Sequence, residues 1–126
     1  MNVGPENQII GDDYYRLTGE AVITFQQQSY RNQKYIQDAT AGILIDDSAG
    51  TITNTFNIGD GITGLKGQAF DFNGLLEFIP IEDIAASSTG NTVTPQIVTI
   101  ADVLATPENY ESELLQINGV IFDTTN

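Results

Sequence analysis

The fold is decided by the stretch Phe70-Asp71-Phe72-Asn73-Gly74-Leu75-Leu76-Glu77-Phe78. Asn-Gly between two apolar runs is the strongest short-range signal for a β-hairpin, because both residues tolerate the positive φ angles of a type I′ turn. A two-residue loop at this point predicts three cross-strand pairs, which are Phe72 with Leu75, Phe70 with Glu77 and Ala69 with Phe78. The stretch therefore predicts a tight antiparallel hairpin.

Upstream of the hairpin, the sequence predicts three further strands. The first has a period-two pattern, whose mainly apolar face consists of Tyr15, Leu17, Gly19, Ala21, Ile23 and Phe25. The second runs from about Tyr30 to Asp38, and the third runs from Ile43 to Asp46. Gly64 and Gly67, in the first arm of the hairpin, indicate a bulge or bend of the kind that a small barrel needs at its corners. Together these strands predict an all-β fold, a small closed barrel of five strands.

The C-terminal part of the sequence has a helical pattern followed by one more strand. Thr99 with Asp102 three residues later predicts a capped helix. Thr106-Pro107 predicts a second helix, which begins at the proline and has the threonine as its cap. A last strand is predicted from Leu114 to Phe122.

These patterns divide the chain into four parts. We expect a flexible N-terminal segment over residues 1–13, a barrel over 14–84, a linker of small polar residues over 85–94 and a helix-plus-strand extension over 95–126. Ile117-Asn118-Gly119 loosely echoes Leu17-Thr18-Gly19. Two interpretations of the last strand therefore stay open: it completes this barrel, or it begins a second module.

The composition excludes several classes of function. The 126 residues include no His and no Cys, so a Ser-His-Asp triad, a cysteine nucleophile and a His/Cys zinc site cannot form. The 17 acidic and 4 basic residues give a net charge of -13, which repels phosphate backbones and anionic lipids. We therefore expect no enzymatic activity, no cofactor and no membrane association, and we expect the isolated domain to be a monomer.

Three segments resemble the OB-fold superfamily. They are Tyr35-Ile36-Gln37-Asp38-Ala39-Thr40-Ala41-Gly42-Ile43, then Gly59-Asp60 with Ile62, and Phe72-Asn73-Gly74-Leu75. More narrowly, they resemble OB-like domains of secreted Bacteroidetes-type proteins, which often lie beside extracellular nuclease or lamin-tail modules. The resemblance covers about residues 15–81, and the tail from Pro95 to Phe122 resembles the connector that follows such domains. The sequence departs from the family pattern at Ile62 to Gly67, where it has one extra residue. We assign this residue to a bulge at Gly64.

This resemblance implies a ligand face and a location. OB-folds bind ligands on the face of their second and third strands and on the loops beside it. It also implies an extracellular or cell-surface protein, although the first ten residues carry no signal peptide. If Ile36, Ile43 and Ile45 point inward, the residues that point outward onto this face are Tyr35, Gln37, Leu44 and Asp46.

Each candidate residue has a role that follows from its chemistry. Tyr35 can stack on a base or a sugar, and Gln37 can hydrogen-bond to it. Arg31 and Lys34 are the only basic residues nearby, whereas Asp38, Asp46 and Asp47 give the face the wrong sign for nucleic acid.

Two further features have competing interpretations. Asp46 and Asp47 are candidate calcium ligands, but they lack the spacing of an EF-hand loop, which favours a solvated acidic turn and no metal. Phe70, Phe72 and Leu75 form an apolar cluster. We expect the C-terminal helix to cover it with Ile100, Val103 and Leu104; a bare cluster would be a partner-binding patch.

The sequence thus favours a non-catalytic OB-like module that acts as a binding domain or as a spacer within a larger exported or cell-surface protein. A protein or a glycan is the expected ligand. The alternative is a nucleic-acid-binding accessory domain of an extracellular nuclease, which would use Tyr35, Gln37, Arg31 and Lys34.

Overall fold

A computed structural model describes residues 3–5 and 14–123 of the chain. Within these ranges the chain forms ten β-strands, one α-helix (α1, Ile100–Ala105) and one 3-10 helix (Pro107–Tyr110). The strands are β1 (Val3–Pro5), β2 (Tyr14–Leu17), β3 (Ala21–Gln27), β4 (Gln33–Gln37), β5 (Gly42–Ile45), β6 (Gly61–Ile62), β7 (Lys66–Phe72), β8 (Leu75–Pro80), β9 (Gln96–Ile97) and β10 (Leu115–Gln116). The structure therefore confirms a mostly β fold.

Eight of the strands form one curled, barrel-like sheet in the order β1-β2-β7-β8-β5-β4-β3-β6. β5 and β8 are parallel, and the other neighbours in this sheet are antiparallel. β2 and β3 follow each other in the chain, yet β2 pairs with β7 and β3 pairs with β4. The chain thus connects two distant parts of the sheet as it passes from β2 into β3.

The described sheet has eight strands, whereas the sequence predicts five. The predicted first strand is divided into β2 and β3 at Thr18-Gly19-Glu20. The first arm of the predicted hairpin, which is the fourth predicted strand, is divided into β6 and β7. Gly64 lies between them with a φ of 75°. β1 pairs with β2 and lies within the segment predicted to be flexible, most of which is outside the described residues. The positive φ at Gly64 explains the division between β6 and β7, because glycine allows the chain to bend there.

The β7–β8 hairpin has the register that the sequence predicts. Phe72 pairs with Leu75, Phe70 with Glu77, and Ala69 with Phe78. Asn73 and Gly74 have φ angles of 53° and 92°, as a turn with two left-handed residues requires. The prediction from the Asn-Gly turn is therefore confirmed.

The inside of the curled sheet is an apolar core. Its centre includes Ile36 on β4, Ile43 and Ile45 on β5, and Phe78 on β8, all buried. The remaining core residues are Leu17, Ala21, Ile23, Ile52, Phe56, Ile62 and Leu65. Burial of each large apolar side chain stabilises the fold by roughly 1.5 to 3 kcal/mol. The predicted inward direction of the three isoleucines of β4 and β5 is confirmed.

One prediction for the first strand is wrong. The period-two pattern places Phe25 on the same apolar face as Ile23, but Ile23 is buried whereas Phe25 is 49% exposed. The register of β3 against β4 shifts between these two residues, which marks a β-bulge. An inserted residue reverses the faces of the strand beyond it. Phe25 therefore lies on the outer face of the sheet, and Gln26 turns inward.

The connection from β3 to β4 is longer than the sequence predicts. Tyr30, expected to begin a strand, lies in a turn that ends at Gln33, whose N–H donates to the Tyr30 carbonyl at 3.3 Å. Arg31 and Asn32 have φ angles of 52° and 48° within this turn. Arginine is uncommon in the left-handed region, so the residue types here do not predict the turn.

The predicted linker over residues 85–94 lies against β6. Gly61 exchanges backbone hydrogen bonds with Ser87 and Ser88, at 2.8 and 2.9 Å. The side chain of Asn91 donates to the Gly59 carbonyl at 2.9 Å. Glu20 accepts from the hydroxyls of both serines. These hydrogen bonds attach the segment to the sheet.

The C-terminal region contains the predicted capped helix. Thr99 and Asp102 form both hydrogen bonds of a capping box at the start of α1, which confirms that prediction. The 3-10 helix begins at Pro107, but the Thr106 side chain makes no capping hydrogen bond. The predicted last strand is reduced to β10, which pairs in parallel with β9.

The expectation that α1 covers the apolar cluster of the hairpin is wrong. Leu104 is 75% exposed, Ile100 is also exposed, and no residue of α1 is buried. Phe70 and Phe72 remain about half exposed. The helix is held through its capping box and its chain neighbours, so the hairpin cluster stays bare.

Because of the β-bulge, we expect substitutions of Ile23 and Phe25 to have different effects on stability, although the two residues are only two positions apart. We expect Ile23→Ala to lower the free energy of unfolding by about 2 to 5 kcal/mol, because it opens a cavity in the core. Phe25→Ala should cost less than about 1.5 kcal/mol, since the half-exposed ring loses little burial. Urea unfolding measures both values. Equal losses for the two variants would contradict the bulge.

Candidate functional site

A row of five outward-facing side chains crosses the sheet in register. Phe25 on β3 pairs with Tyr35 on β4, and Tyr35 pairs with Leu44 on β5. Leu44 pairs with Glu77 on β8, which in turn pairs with Phe70 on β7. At about 4.8 Å between strands, the row is about 19 Å long. We call these five residues the outer row.

The two ends of the outer row are exposed and its middle is buried. Phe25 and Phe70 are 49% and 51% exposed, whereas Leu44 and Glu77 are 1% and 7% exposed. The rings of Phe25 and Tyr35 are 6.0 Å apart at an angle of 54°, a favourable tilted contact. The row therefore presents accessible aromatic groups on either side of a recessed carboxylate.

Asp46 and Arg31 form a bidentate ion pair beside the row. Arg31 donates from Nε to Oδ1 at 2.8 Å and from Nη2 to Oδ2 at 2.5 Å. These hydrogen bonds lower the pKa of Asp46, and the carboxylate raises the pKa of Arg31. The left-handed turn at Arg31 brings its side chain to Asp46, and the Asp47 N–H donates to the Arg31 carbonyl at 3.1 Å. The pair anchors the β3–β4 turn.

Glu77 has no such partner. Within the described residues it accepts no hydrogen bond, although the residue is only 7% exposed. Burial raises the pKa of Glu77, the charge of Asp46 raises it further, and Arg31 opposes both effects. Among the described residues, Gln26 Oε1 is the fully buried side-chain oxygen without a hydrogen bond, so the Glu77 oxygens, which also lack one, keep some contact with solvent and can be reached by a donor from outside the chain.

The structure places most of the predicted site residues on one face. Tyr35, Gln37, Leu44 and Asp46 share the outer face of β4 and β5, and Arg31 reaches it through Asp46. Lys34 does not lie there. It is buried inside the sheet, its Nζ is 5.9 Å from the centre of the Phe56 ring, and burial lowers its pKa.

One end of this face is covered by the chain itself. The N–H of Leu114 donates to Oε1 of Gln37 at 2.8 Å, which occupies the predicted ligand-binding amide. Glu111 accepts from the N–H of Leu76 at 3.0 Å. A Cβ on Gly42 would lie 2.4 Å from the carbonyl oxygen of Ser112, so only glycine allows this approach. A groove of about 240 Å³ remains between this segment and the rings of Phe25 and Tyr35.

Sequence reasoning missed Phe25, Glu77 and Phe70 as members of this face. The pairing of Phe70 with Glu77 follows from the Asn-Gly turn, but its place beside Leu44 depends on the parallel pairing of β5 with β8. These strands are far apart in the chain, and no local pattern specifies their register.

The candidate calcium ligands are engaged within the protein. Both carboxylate oxygens of Asp46 accept from Arg31. Those of Asp47 accept from the N–H groups of Thr51 and Ile52, at 2.8 and 2.9 Å. Across the part of the chain that the structure describes, no three His, Cys, Asp or Glu side chains form a group that could hold a metal ion.

Comparisons with known proteins give no relative. No protein-family model, curated protein or solved structure matches the chain. Among the described residues, no helix is long and apolar enough to cross a membrane. Function is therefore inferred from the fold and from the outer row.

The unpartnered charge of Glu77 predicts a characteristic pH dependence. Its pKa is higher in the fold than in the unfolded chain, where glutamate has a pKa of about 4.3. The folded state therefore holds the Glu77 proton more tightly, so ionisation destabilises the fold as pH rises from the unfolded pKa through the folded pKa of Glu77. We expect Glu77→Gln to be more stable than the parent chain at neutral pH. This difference in stability should vanish at pH values below the unfolded pKa.

Urea unfolding across pH measures this difference. Glu108→Gln removes the same charge from an exposed position and serves as the matched control. A parent chain that is more stable than Glu77→Gln at neutral pH would show that the carboxylate has a stabilising partner.

Proposed function

We propose that this chain is a non-catalytic binding or spacer module, built on an OB-like barrel, of a larger exported or cell-surface protein. Joined through the chain, β2 and β3 act as one strand whose two halves pair with β7 and β4 at the two sides of the sheet. Counted with β4, β5, β7 and β8 this gives five strands in a curled sheet, which supports a five-stranded Greek-key barrel of the OB type. The sequence resemblance supports the same assignment and the location.

The outer row is the observation that carries a binding function. It crosses β4 and β5 on their outer face, which is where OB-folds bind their ligands. Its aromatic ends, Phe25 and Phe70, are about half exposed, and the neighbouring Phe72 extends the apolar surface. Exposed aromatic groups around a few polar ones suit a protein or a glycan ligand.

Catalysis is not supported by the same surface. Paired-carboxylate chemistry needs two acids that can each exchange a proton or attack. Asp46 lies near Glu77, but both of its oxygens accept hydrogen bonds from Arg31. Asp46 is therefore not available as the second acid.

The alternative is a nucleic-acid-binding accessory domain of an extracellular nuclease. The tilted pair of Phe25 and Tyr35 favours it, because bases stack on such rings. The charges oppose it: Lys34 is buried inside the sheet, and Arg31 is engaged by Asp46. Single-strand binding requires a basic groove, and this face has none.

Fluorescence anisotropy with single-stranded oligo-dT separates the two functions. We expect no binding at low salt, where attraction between unlike charges is least screened. Binding that is weakened by salt and abolished by Tyr35→Ala would establish the alternative.

Calorimetry tests the binding function directly. The whole chain is titrated with a panel of neutral oligosaccharides, an acidic peptide and a basic peptide. We expect at least one probe to bind and to lose about tenfold or more in affinity with Tyr35→Ala, because aromatic groups dominate such interfaces. Ile97→Ala is the control, since Ile97 is exposed on β9. If no probe binds, the spacer function is favoured.

A further inference from the structure

We propose that Glu77 is the recessed subsite of the outer row for a basic side chain, arginine or lysine, supplied by a protein partner. The proposal rests on the proposed function of the outer row as a binding face. It adds the chemical class of the ligand and the residue that recognises it.

Glu77 is only 7% exposed, and yet it accepts no hydrogen bond from the described residues. Its oxygens keep some contact with solvent, so a donor from outside can reach them, and a charged donor makes the stronger hydrogen bond to a carboxylate. Asp46, whose charge acts on Glu77, is instead paired through two hydrogen bonds from Arg31. The oxygens of Glu77 are left for a donor from outside the chain.

The surroundings of Glu77 suit a cation. Its cross-strand neighbours are Phe70, with an accessible ring, and Leu44, which forms a buried floor. A guanidinium or ammonium bound to the carboxylate would also lie against the face of an aromatic ring, where cations are attracted. The planar guanidinium fits both a carboxylate and a ring, so arginine fits better than lysine.

The distribution of charge also favours a cationic ligand. Arg31, Asp46 and Glu77 together carry a net charge of about -1 at neutral pH, as one cation and two carboxylates do. The whole chain carries -13. A basic partner is thus attracted over a distance and then meets an unpaired acid. An anionic ligand would meet repulsion at both stages.

Other occupants fit less well. A calcium ion takes six to eight oxygens, and Glu77 is the only carboxylate of this cluster whose oxygens are free of hydrogen bonds. A neutral glycan can donate hydroxyl hydrogen bonds, but it leaves the charge unpaired. The charge and the aromatic neighbour together favour a basic side chain of a protein.

Calorimetry with two peptides tests the proposal on the whole chain. Acetyl-tetra-arginine-amide supplies the guanidinium, and acetyl-tetra-citrulline-amide is its uncharged isostere. We expect the arginine peptide to bind at least about tenfold more tightly than the citrulline peptide, because hydrogen bonds between charged groups are stronger than neutral ones.

Two variants locate the contact. Glu77→Gln should weaken the arginine peptide by about tenfold or more, since it removes the acceptor charge at constant shape. Glu108→Gln removes an equal charge from an exposed site and should weaken it by less than about twofold. Thermal unfolding checks that both variants are folded, and we expect no loss of stability for Glu77→Gln.

Three results would overturn the proposal. They are an arginine peptide that does not bind, equal affinities for the two peptides, and equal losses for the two variants, which would indicate attraction by the overall charge alone. If a neutral oligosaccharide nevertheless binds in a Tyr35-dependent way, the outer row remains a binding face and only the basic subsite is refuted. If nothing in the panel binds, the basic subsite and the binding function of the outer row are both refuted, and the spacer function is favoured.

Discussion

The outer face of this protein depends on the β-bulge between Ile23 and Phe25. A regular strand would place both side chains in the core, because residues two apart share a face. The shifted register keeps Ile23 inside and moves Phe25 outside, opposite Tyr35. Without this shift the outer row would lose one aromatic end, and the core would have to accept a large additional ring. The bulge is therefore both a packing solution and the origin of the candidate site.

The acidic residues differ in their hydrogen-bond partners and in the direction of their pKa shifts. Asp46 is paired with Arg31, and Asp47 accepts two backbone N–H groups. Hydrogen bonds from Thr53 and Asn54 lower the pKa of the exposed Asp83 to about 2. Glu77 differs from these three, since its pKa is raised and no donor from the described residues reaches it; burial raises the pKa of the partly buried Glu113 as well. The site is defined by this difference in local pairing more than by the total charge of the chain.

Local chemistry predicted the parts of the fold that short segments determine. The Asn73-Gly74 turn fixed the hairpin register, and Thr99 with Asp102 fixed the start of α1. The alternation in β4 and β5 correctly separated the core isoleucines from Tyr35 and Leu44. Each of these features depends on residues only a few positions apart.

Features that depend on distant contacts were not predictable in the same way. The parallel pairing of β5 with β8 brings Glu77 beside Leu44, although the two residues are 33 positions apart in the sequence. Gly42 and Ser112 meet because a C-terminal segment crosses the face. The last predicted strand, from Leu114 to Phe122, was too long because apolar residues there have no sheet to join beyond β9. The part of the site on β4 and β5 could therefore be predicted from the sequence pattern, whereas the part on β7 and β8 depends on the topology of the sheet.

An amide chemical-shift map provides the most direct test of the outer row as a ligand face. The isotope-labelled whole chain is observed by NMR while acetyl-tetra-arginine-amide is added. We expect the largest shifts at Tyr35, Leu44 and Glu77 and on the facing part of β7, with small changes on α1. Shifts spread evenly over the acidic loops, or concentrated on residues 96–123, would contradict the account.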